Sequence, residues 1–152
     1  MQRIHGAVAS VMGVGFLPLA PGTWASLLGA GTWYAAQGWL GAGAGWQFLL
    51  VLACTAFGLF SVSRVIGKWG EDPSQVVIDE LAGTWIACFL VPHSAVAVVS
   101  AFVLFRVFDI LKPFGIRKLE RMKGATGVMA DDVAAGIYAN VCVQALLLFI
   151  SR

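Results

Sequence analysis

Five carboxylates beside long hydrophobic runs are the residues of this chain best suited to chemistry. All eight acidic residues fall within residues 71–132. The five that adjoin the hydrophobic runs are Asp79, Glu80, Asp109, Asp131 and Asp132. A carboxylate at the rim of a bilayer is a functional-site hypothesis by default. Oxygen-rich clusters without histidine or cysteine suit hard cations such as Mg²⁺, which binds carboxylates together with water and phosphate oxygens.

The acids are expected to form a metal site contributed by two segments of the chain. The predicted ligands of Mg²⁺ are Asp79, Glu80, Asp131 and Asp132. The last two acids have a simpler interpretation, in which they cap the final helix. One acid suffices for a cap, so this interpretation leaves the second acid without a role.

Two cations close to the acids are suited to binding a phosphate. Arg106, Asp109 and Lys112 are three residues apart, which places them along the last two turns of one helix. We expect Lys112 and Arg106 to bind the phosphate, and Asp109 to orient Lys112 or an attacking water. The alternative is an intrahelical ion pair between Arg106 and Asp109, with Lys112 interacting only with the helix dipole.

A segment rich in glycine and proline, residues 13–23, is a further candidate for phosphate binding. Backbone donors at Gly22, Thr23 and the start of the following helix could hold an anion. The segment is not a nucleotide-binding P-loop, because no Gly-Lys-Ser/Thr follows it. The simpler interpretation is a helix entry with Thr23 as the N-cap.

Composition places these residues in a membrane protein. The chain is 59% hydrophobic and 12% charged, whereas charged residues make up about 25% of an ordinary soluble domain. No polar linker divides it, so we expect one integral-membrane domain over residues 1–152. The net charge of +2 and the lack of a basic stripe argue against nucleic-acid binding. A homo-oligomer is compatible with the sequence.

Hydrophobic runs predict the helices that must position the acids. The third run would make a helix of about 50 Å, longer than a hydrocarbon core of about 30 Å. Because proline disfavours a continuous helix, we expect a turn at Pro92-His93. The prediction is an all-α, polytopic membrane fold of about five helices, including this short helical hairpin. The runs cover residues 24–40, 46–65, 76–108 and 133–150.

Capping signals predict the start of the third helix. Asp72 is a good N-cap, Pro73 suits the first helical position, and Gln75 can complete a capping box. This start would place Asp79 and Glu80 about two turns inside the helix.

The five-helix arrangement brings the acids to one face of the membrane. The fourth helix is expected to end at Lys112, because Pro113 follows. Two hairpins then return the chain to the face that carries the basic residues of segment 112–123, and such clusters usually face the cytoplasm. All three acidic segments meet at that face.

Four motifs follow one another across residues 13–137. The first runs from Phe16-Leu17-Pro18 to Ala20-Pro21-Gly22-Thr23 and Ser26-Leu27, and the second is Ile78-Asp79-Glu80 with Gly83. The third is Phe105-Arg106-Val107-Phe108-Asp109-Ile110 with Lys112-Pro113, and the fourth is Gly127-Val128-Met129 with Asp131-Asp132 and Ala135-Gly136. In order and spacing, these motifs resemble the phosphatidylglycerophosphatase A family.

The resemblance implies a Mg²⁺-dependent lipid phosphatase that hydrolyses phosphatidylglycerophosphate to phosphatidylglycerol and inorganic phosphate. It implies an all-α, multi-pass protein of the bacterial inner membrane, with the active site toward the cytoplasm. Attack by water and a phospho-aspartate intermediate are both open routes. The residues expected to be catalytic are Asp79, Asp109, Lys112 and Asp132.

A small membrane carrier, which would bind a cation at its intramembrane carboxylates, is the alternative from a different class. A carrier requires acids near the bilayer centre that are reachable from both sides. Here the acids lie toward one face in the expected arrangement, which favours the enzyme.

Overall fold

The computed structural model describes residues 2–70 and 73–150, and all regular structure within these ranges is helical. The all-α prediction is confirmed. A 3₁₀ turn, Val14–Phe16, lies between the first two helices. The predicted count of about five helices is too low, since the first and sixth helices are too short to appear as hydrophobic runs. The seven α-helices of the described ranges are α1 Gln2–Ala9, α2 Pro21–Leu40, α3 Ala44–Trp69, α4 Ile78–Ala87, α5 Ala95–Leu111, α6 Ile116–Leu119 and α7 Ala125–Ile150.

The long third hydrophobic run is divided where proline predicts a turn. Pro92-His93 lies in the non-helical segment 88–94 between α4 and α5. The α5 helix ends at Leu111, and Lys112 is its C-cap residue. Pro113 directly follows Lys112, so the end of α5 agrees with the restriction that proline places on the residue before it.

The start of α4 differs from the prediction. The helix begins at Ile78, so Asp79 and Glu80 lie in its first turn and not two turns inside. The proposed N-cap, Asp72, lies outside the described residues.

A contact with α1 explains this later start. The N–H group of Val77 donates to the carbonyl oxygen of Ala9 at 2.9 Å, and the N–H group of Val76 donates to the carbonyl oxygen of Pro73 at 2.9 Å. Val77 has a φ of −144°, which lies outside the helical range. The backbone immediately before Ile78 therefore forms a turn and a hydrogen bond with α1, and the helix starts only at Ile78.

Unlike α4, the helices α2 and α7 begin earlier in the chain than predicted. The α2 helix begins at Pro21, a favoured first position, so Thr23 lies inside its first turn and is not the N-cap. The α7 helix begins at Ala125, which places Asp131 and Asp132 about two turns inside it. The N-cap interpretation of these two acids is thereby excluded.

The short α4 helix lies at the centre of the bundle and packs against α2, α3, α5 and α7. Its closest approach is to α7, where a Cβ atom on Gly136 would collide with the carbonyl oxygen of Gly83. A Cβ atom on Gly83 would collide with the ring of Phe105 and with the backbone of Asp132. Two glycines thus allow the helix that carries Asp79 to approach the helix that carries Asp132.

Among the helices of the described ranges, two, α3 and α7, are long and apolar enough to cross a membrane. Each has 26 residues, and only 22% of its most apolar window is buried inside the protein. Large apolar side chains such as Phe57 and Phe149 point outward, with 64% and 81% of their surface exposed. An apolar exterior of this kind is expected where lipid replaces water. The α4 helix, with 10 residues, is too short to span a bilayer.

Candidate active site

One cavity collects every residue that the sequence predicts to be functional. It has a volume of about 330 Å³ and lies where the N-termini of α2, α4 and α7 meet the C-terminus of α5. The predicted site residues that line it are Thr23, Asp79, Glu80, Arg106, Asp109, Lys112, Asp131 and Asp132. Acids that are up to 53 residues apart in the chain are therefore neighbours in the fold.

Three of the acids form a compact cluster. One carboxylate oxygen from each of Asp79, Glu80 and Asp132 lies within 4.8 Å of the other two. Asp79 and Asp132 are buried, with 9% and 4% of their surface exposed. Asp79 and Glu80 come from the first turn of α4, and Asp132 comes from the second turn of α7.

The electrostatics of this cluster favour a bound positive charge. Burial raises the pKa of Asp79 well above its usual value, and the negative charge of Glu80 raises it further. Burial also raises the pKa of Glu80, and the hydrogen bond with Asp79 opposes this effect. Neighbouring carboxylates that are out of water cannot all carry a charge without a compensating cation.

The donor set fits a hard cation. The Oε2 atom of Glu80 is buried and has no hydrogen-bond partner within the described ranges, although buried polar atoms normally have one. The three-acid cluster contains oxygen ligands only, without histidine or cysteine. This is the chemistry that Mg²⁺ selects. The predicted ligands Asp79, Glu80 and Asp132 are thus placed together.

Asp131, the fourth predicted metal ligand, has a different neighbour. Its Oδ2 atom accepts a hydrogen bond from Lys112 Nζ at 2.7 Å, and the two groups form an ion pair. Its other oxygen, Oδ1, is buried without a partner among the residues that the structure describes. Asp131 lies outside the three-acid cluster but lines the same cavity.

Lys112 is held between two acids, and neither of them is Asp109. Its Nζ atom lies 2.8 Å from Glu120 Oε1, in addition to its contact with Asp131. Of the two predicted roles of Asp109, the structure does not show the orientation of Lys112, because Asp109 pairs with Arg106 instead. The backbone of Lys112 is left-handed, with φ 47° and ψ 52°, so this residue does not continue the helical row of Asp109. The orientation of an attacking water by Asp109 remains a prediction. Burial alone would lower the pKa of Lys112, but the hydrogen bonds with Asp131 and Glu120 outweigh it and raise the pKa above its usual value.

Arg106 and Asp109 form the intrahelical ion pair that the sequence left as an alternative. Arg106 Nη1 lies 2.7 Å from Asp109 Oδ2, and it also donates to Ser26 Oγ at 3.4 Å. The Nε atom of Arg106 is buried and has no hydrogen-bond partner in the described part of the chain. Arg106 thus forms the ion pair and keeps one buried donor without a partner among the described residues.

The N-terminus of α2 lines the cavity beside Glu80 of α4. A Cβ atom on Gly22 would collide with Glu80 Oε1, so glycine leaves room for the Glu80 carboxylate in its present position. Thr23, the next residue, lies in the first turn of α2 and lines the cavity. The predicted role for Thr23 in phosphate binding remains a prediction.

Two residues with partners in this site carried no role in the sequence interpretation. Glu120 had no predicted part in the site, but it forms an ion pair with Lys112. Ser26 accepts from Arg106 and donates from Oγ to the carbonyl oxygen of Gly22 at 2.8 Å. The pairing of Glu120 with Lys112 and that of Ser26 with Arg106 do not follow a helical repeat. Ser26 stands within the first motif, which was the only signal for it.

Comparison with known proteins assigns the family. The phosphatidylglycerophosphatase A family matches residues 7–147, which is nearly the whole chain. The chain belongs to the phosphatidylglycerophosphatase A family. Membership makes it a phosphatase of the lipid phosphatase class.

Curated relatives from three bacteria are similar over most of their length. A phosphatidylglycerophosphatase A of Haemophilus influenzae is 38% identical, with 96% of this chain and 90% of the relative covered. The protein of the same name from Escherichia coli is 34% identical, with 82% of this chain and 73% of the relative covered. A Bacteroides thetaiotaomicron protein, provisionally named a phosphatidylinositol-3-phosphatase, is 41% identical, with 90% of this chain and 89% of the relative covered. No solved structure matches the chain with statistical significance.

Proposed function

We propose that this protein is a Mg²⁺-dependent phosphatase that hydrolyses phosphatidylglycerophosphate to phosphatidylglycerol and inorganic phosphate. The observation that carries the proposal is the single cavity in which three clustered carboxylates lie beside Lys112 and Arg106. Family membership and two relatives named phosphatidylglycerophosphatase A support the choice of substrate.

We assign the cation to Asp79, Glu80 and Asp132, because one oxygen from each lies within 4.8 Å of the others. A bound Mg²⁺ would supply charge neutralisation at the phosphate oxygens and a lower pKa for an attacking water. Asp131 lies at the edge of this group and holds Lys112. Its unpartnered Oδ1 atom is available to a ligand in the cavity.

The phosphate group of the substrate is assigned to the cations of the cavity wall. Lys112 and Arg106 would bind its oxygens, with Thr23 at the N-terminus of α2 as a further donor. Asp109 fixes the guanidinium of Arg106 through their ion pair, and Asp131 fixes the ammonium of Lys112. Phosphoryl transfer depends mainly on positioning and charge neutralisation, so this set of residues is sufficient.

The hydrolysis breaks the P–O bond to the glycerol headgroup and forms a P–O bond to the nucleophile. The nucleophile is a water or the carboxylate of Asp79, Asp109 or Asp132, and a carboxylate route requires a second attack by water on the phospho-aspartate. In either route the attacking water loses one proton and the leaving glycerol oxygen gains one, so the protons balance over one turnover. Both routes end in inorganic phosphate.

The position of the cavity supports an interfacial active site. Four helix ends meet there, and the basic residues Arg117, Lys118, Arg121 and Lys123 lie in the adjoining segment. We assign this end of the molecule to the cytoplasmic face of the bacterial inner membrane, with α3 and α7 as passes, since basic segments favour the cytoplasm. A cation carrier is disfavoured because the acids gather at one end.

The provisional name of the Bacteroides relative favours a second candidate substrate, a phosphoinositide. Both candidates are phosphomonoesters on the headgroup of a membrane lipid, so the same cavity would serve either.

Phosphate release from the two lipids in matched detergent micelles tests the substrate. We expect hydrolysis of phosphatidylglycerophosphate to exceed that of phosphatidylinositol 3-phosphate by about tenfold or more in kcat/KM, a difference of at least about 1.4 kcal/mol. A reversed preference would move the assignment to phosphoinositides. Hydrolysis of neither lipid would overturn the proposal.

A further inference from the structure

A second cavity, of about 580 Å³, lies between α1 and α3 and is separate from the acidic site. Among the residues that the structure describes, no acidic residue lines it. Three cations do: Arg3 of α1, and Arg64 and Lys68 of α3. Arg64 and Lys68 are four residues apart, so they project from the same side of α3.

The three cations of this basic cavity are exposed and have no ion-pair partner among residues 2–70 and 73–150. The guanidinium of Arg64 lies over the ring of Phe60, 4.8 Å from its centroid. Three like charges around one cavity repel one another, and an anion bound between them removes that repulsion.

The rest of the cavity wall is apolar. The rings of Phe16 and Trp69 meet edge to face with centroids 5.8 Å apart, and Met12 has 85% of its surface exposed. Trp69 is the last residue of α3, a helix long enough to span a membrane. Tryptophan is enriched at the level of the lipid headgroups. A ligand of this cavity therefore needs both an anionic group and an apolar part.

We infer that the basic cavity binds the headgroup of an anionic membrane phospholipid. Arg3, Arg64 and Lys68 contact its phosphodiester, and the glycerol and first acyl carbons lie against Phe16 and Trp69. Basic pockets beside spanning helices at the cytoplasmic face bind acidic lipids in this way. The site differs from the candidate active site, which pairs its cations with carboxylates.

The basic cavity also lies close to the acidic cluster. Its wall includes Ser10, whose neighbour Ala9 accepts the hydrogen bond from Val77. Val77 immediately precedes α4, the helix that carries Asp79 and Glu80. A lipid in the basic cavity would therefore bind beside the active site without entering it.

The test is lipid binding to the purified full-length protein, measured by native mass spectrometry in an uncharged detergent. Phosphatidylserine is the anionic probe, because it is neither a phosphomonoester nor the proposed product. Phosphatidylcholine is the zwitterionic comparison. We expect phosphatidylserine to bind and phosphatidylcholine to bind at least tenfold more weakly.

Charge-matched variants locate the site. The triple variant Arg3→Gln, Arg64→Gln, Lys68→Gln should weaken phosphatidylserine binding by at least tenfold, since each cation contributes about fivefold near an acidic lipid. The control removes three exposed cations that line neither cavity, in the variant Lys118→Gln, Arg121→Gln, Lys123→Gln. Its binding should stay within about twofold of the original protein, because these cations do not contact a headgroup in the basic cavity and solvent ions screen their charges.

Three results would overturn the inference. The first is an equal loss of phosphatidylserine binding in the two triple variants. The second is binding of phosphatidylcholine that is as tight as that of phosphatidylserine. The third is displacement of phosphatidylserine by inorganic phosphate at the same concentration as the lipid. If the first triple variant does not fold, Arg64→Gln alone should weaken binding by about fivefold, and Arg64→Lys should restore it. Unchanged binding in Arg64→Gln would also contradict the site.

Discussion

Lys112 Nζ lies 2.7 Å from Asp131 Oδ2, so the loop after α5 is joined to the second turn of α7 at the wall of the acidic cavity. The same ammonium lies 2.8 Å from Glu120. Two carboxylates thus fix one cation at a position where a substrate phosphate can reach it. The pair lies 19 residues apart in the chain, beyond the reach of a helical repeat.

Replacing Lys112 by methionine should lower kcat/KM by about 100-fold, because a hydrogen bond to a charged group contributes about 1.5–3 kcal/mol. Lys118→Met is the matched control, since Lys118 is exposed and does not line the cavity. Steady-state hydrolysis of phosphatidylglycerophosphate by both variants checks this. Full activity in folded Lys112→Met would remove Lys112 from the site.

Adding one methyl group at Gly22 should weaken Mg²⁺ binding. A Cβ atom there would meet Glu80 Oε1, so Gly22→Ala displaces one predicted ligand. We expect the Mg²⁺ concentration for half-maximal activity to rise by about tenfold or more, as when a metal site loses its supporting contacts. Gly31→Ala is the control in the same helix, because a Cβ atom at Gly31 meets nothing within 4 Å. Equal Mg²⁺ requirements in the two variants would contradict the placement of Glu80.

Adding a methyl group at Gly136 should lower the stability of the protein, because α4 and α7 approach each other closely there. Gly136→Ala would press a Cβ atom onto the carbonyl oxygen of Gly83, and overpacking of this kind costs about 1–3 kcal/mol. Gly67→Ala, where a Cβ atom meets nothing within 4 Å, should leave stability equal or slightly higher. Thermal unfolding in detergent compares them, and equal melting temperatures would show that the approach is not tight.

Several features of the fold could be predicted because they depend on neighbours in the chain. Pro113 directly follows Lys112, the C-cap residue of α5, and Pro92 lies in the break between α4 and α5, because proline disfavours a helical conformation in the residue before it. The late start of α4 was not predictable, because it depends on a hydrogen bond between Val77 and Ala9. That bond joins segments far apart in sequence.

The candidate site was predictable to a similar extent. The acids stood out by type, and the cavity contains all five of them. Asp131 and Asp132 interrupted the hydrophobic pattern, so α7 was predicted to begin after them. In the structure both acids lie inside α7. Asp132 lies beside Asp79 and Glu80, and Asp131 pairs with Lys112, so groups of the protein replace water around them. The partners of each charge depend on tertiary geometry, which the sequence pattern did not contain.

The raised pKa of Asp79 predicts how pH acts on the metal-free protein. A carboxyl whose pKa is higher in the folded than in the unfolded state binds its proton more tightly when folded, so stability is greatest at low pH and falls as pH rises through the folded-state pKa. In EDTA, the melting temperature should therefore fall as pH rises from about 4, the ordinary value of such carboxyls, toward neutrality. Asp79→Asn should flatten this slope. A melting temperature that rises over this interval, by the same amount in both proteins, would contradict the raised pKa.

Phosphate release from phosphatidylglycerophosphate, measured with Mg²⁺ and with EDTA, tests the central claim most directly. The original protein should hydrolyse the lipid only when Mg²⁺ is present. Asp79→Asn and Asp132→Asn, each shown to be folded by its melting temperature, should lose about 100-fold or more in kcat, the size of effect seen when one preorganised charge-stabilising group is removed. Hydrolysis that persists in EDTA, or full activity in both folded variants, would contradict a metal-dependent phosphatase site at this acidic cluster.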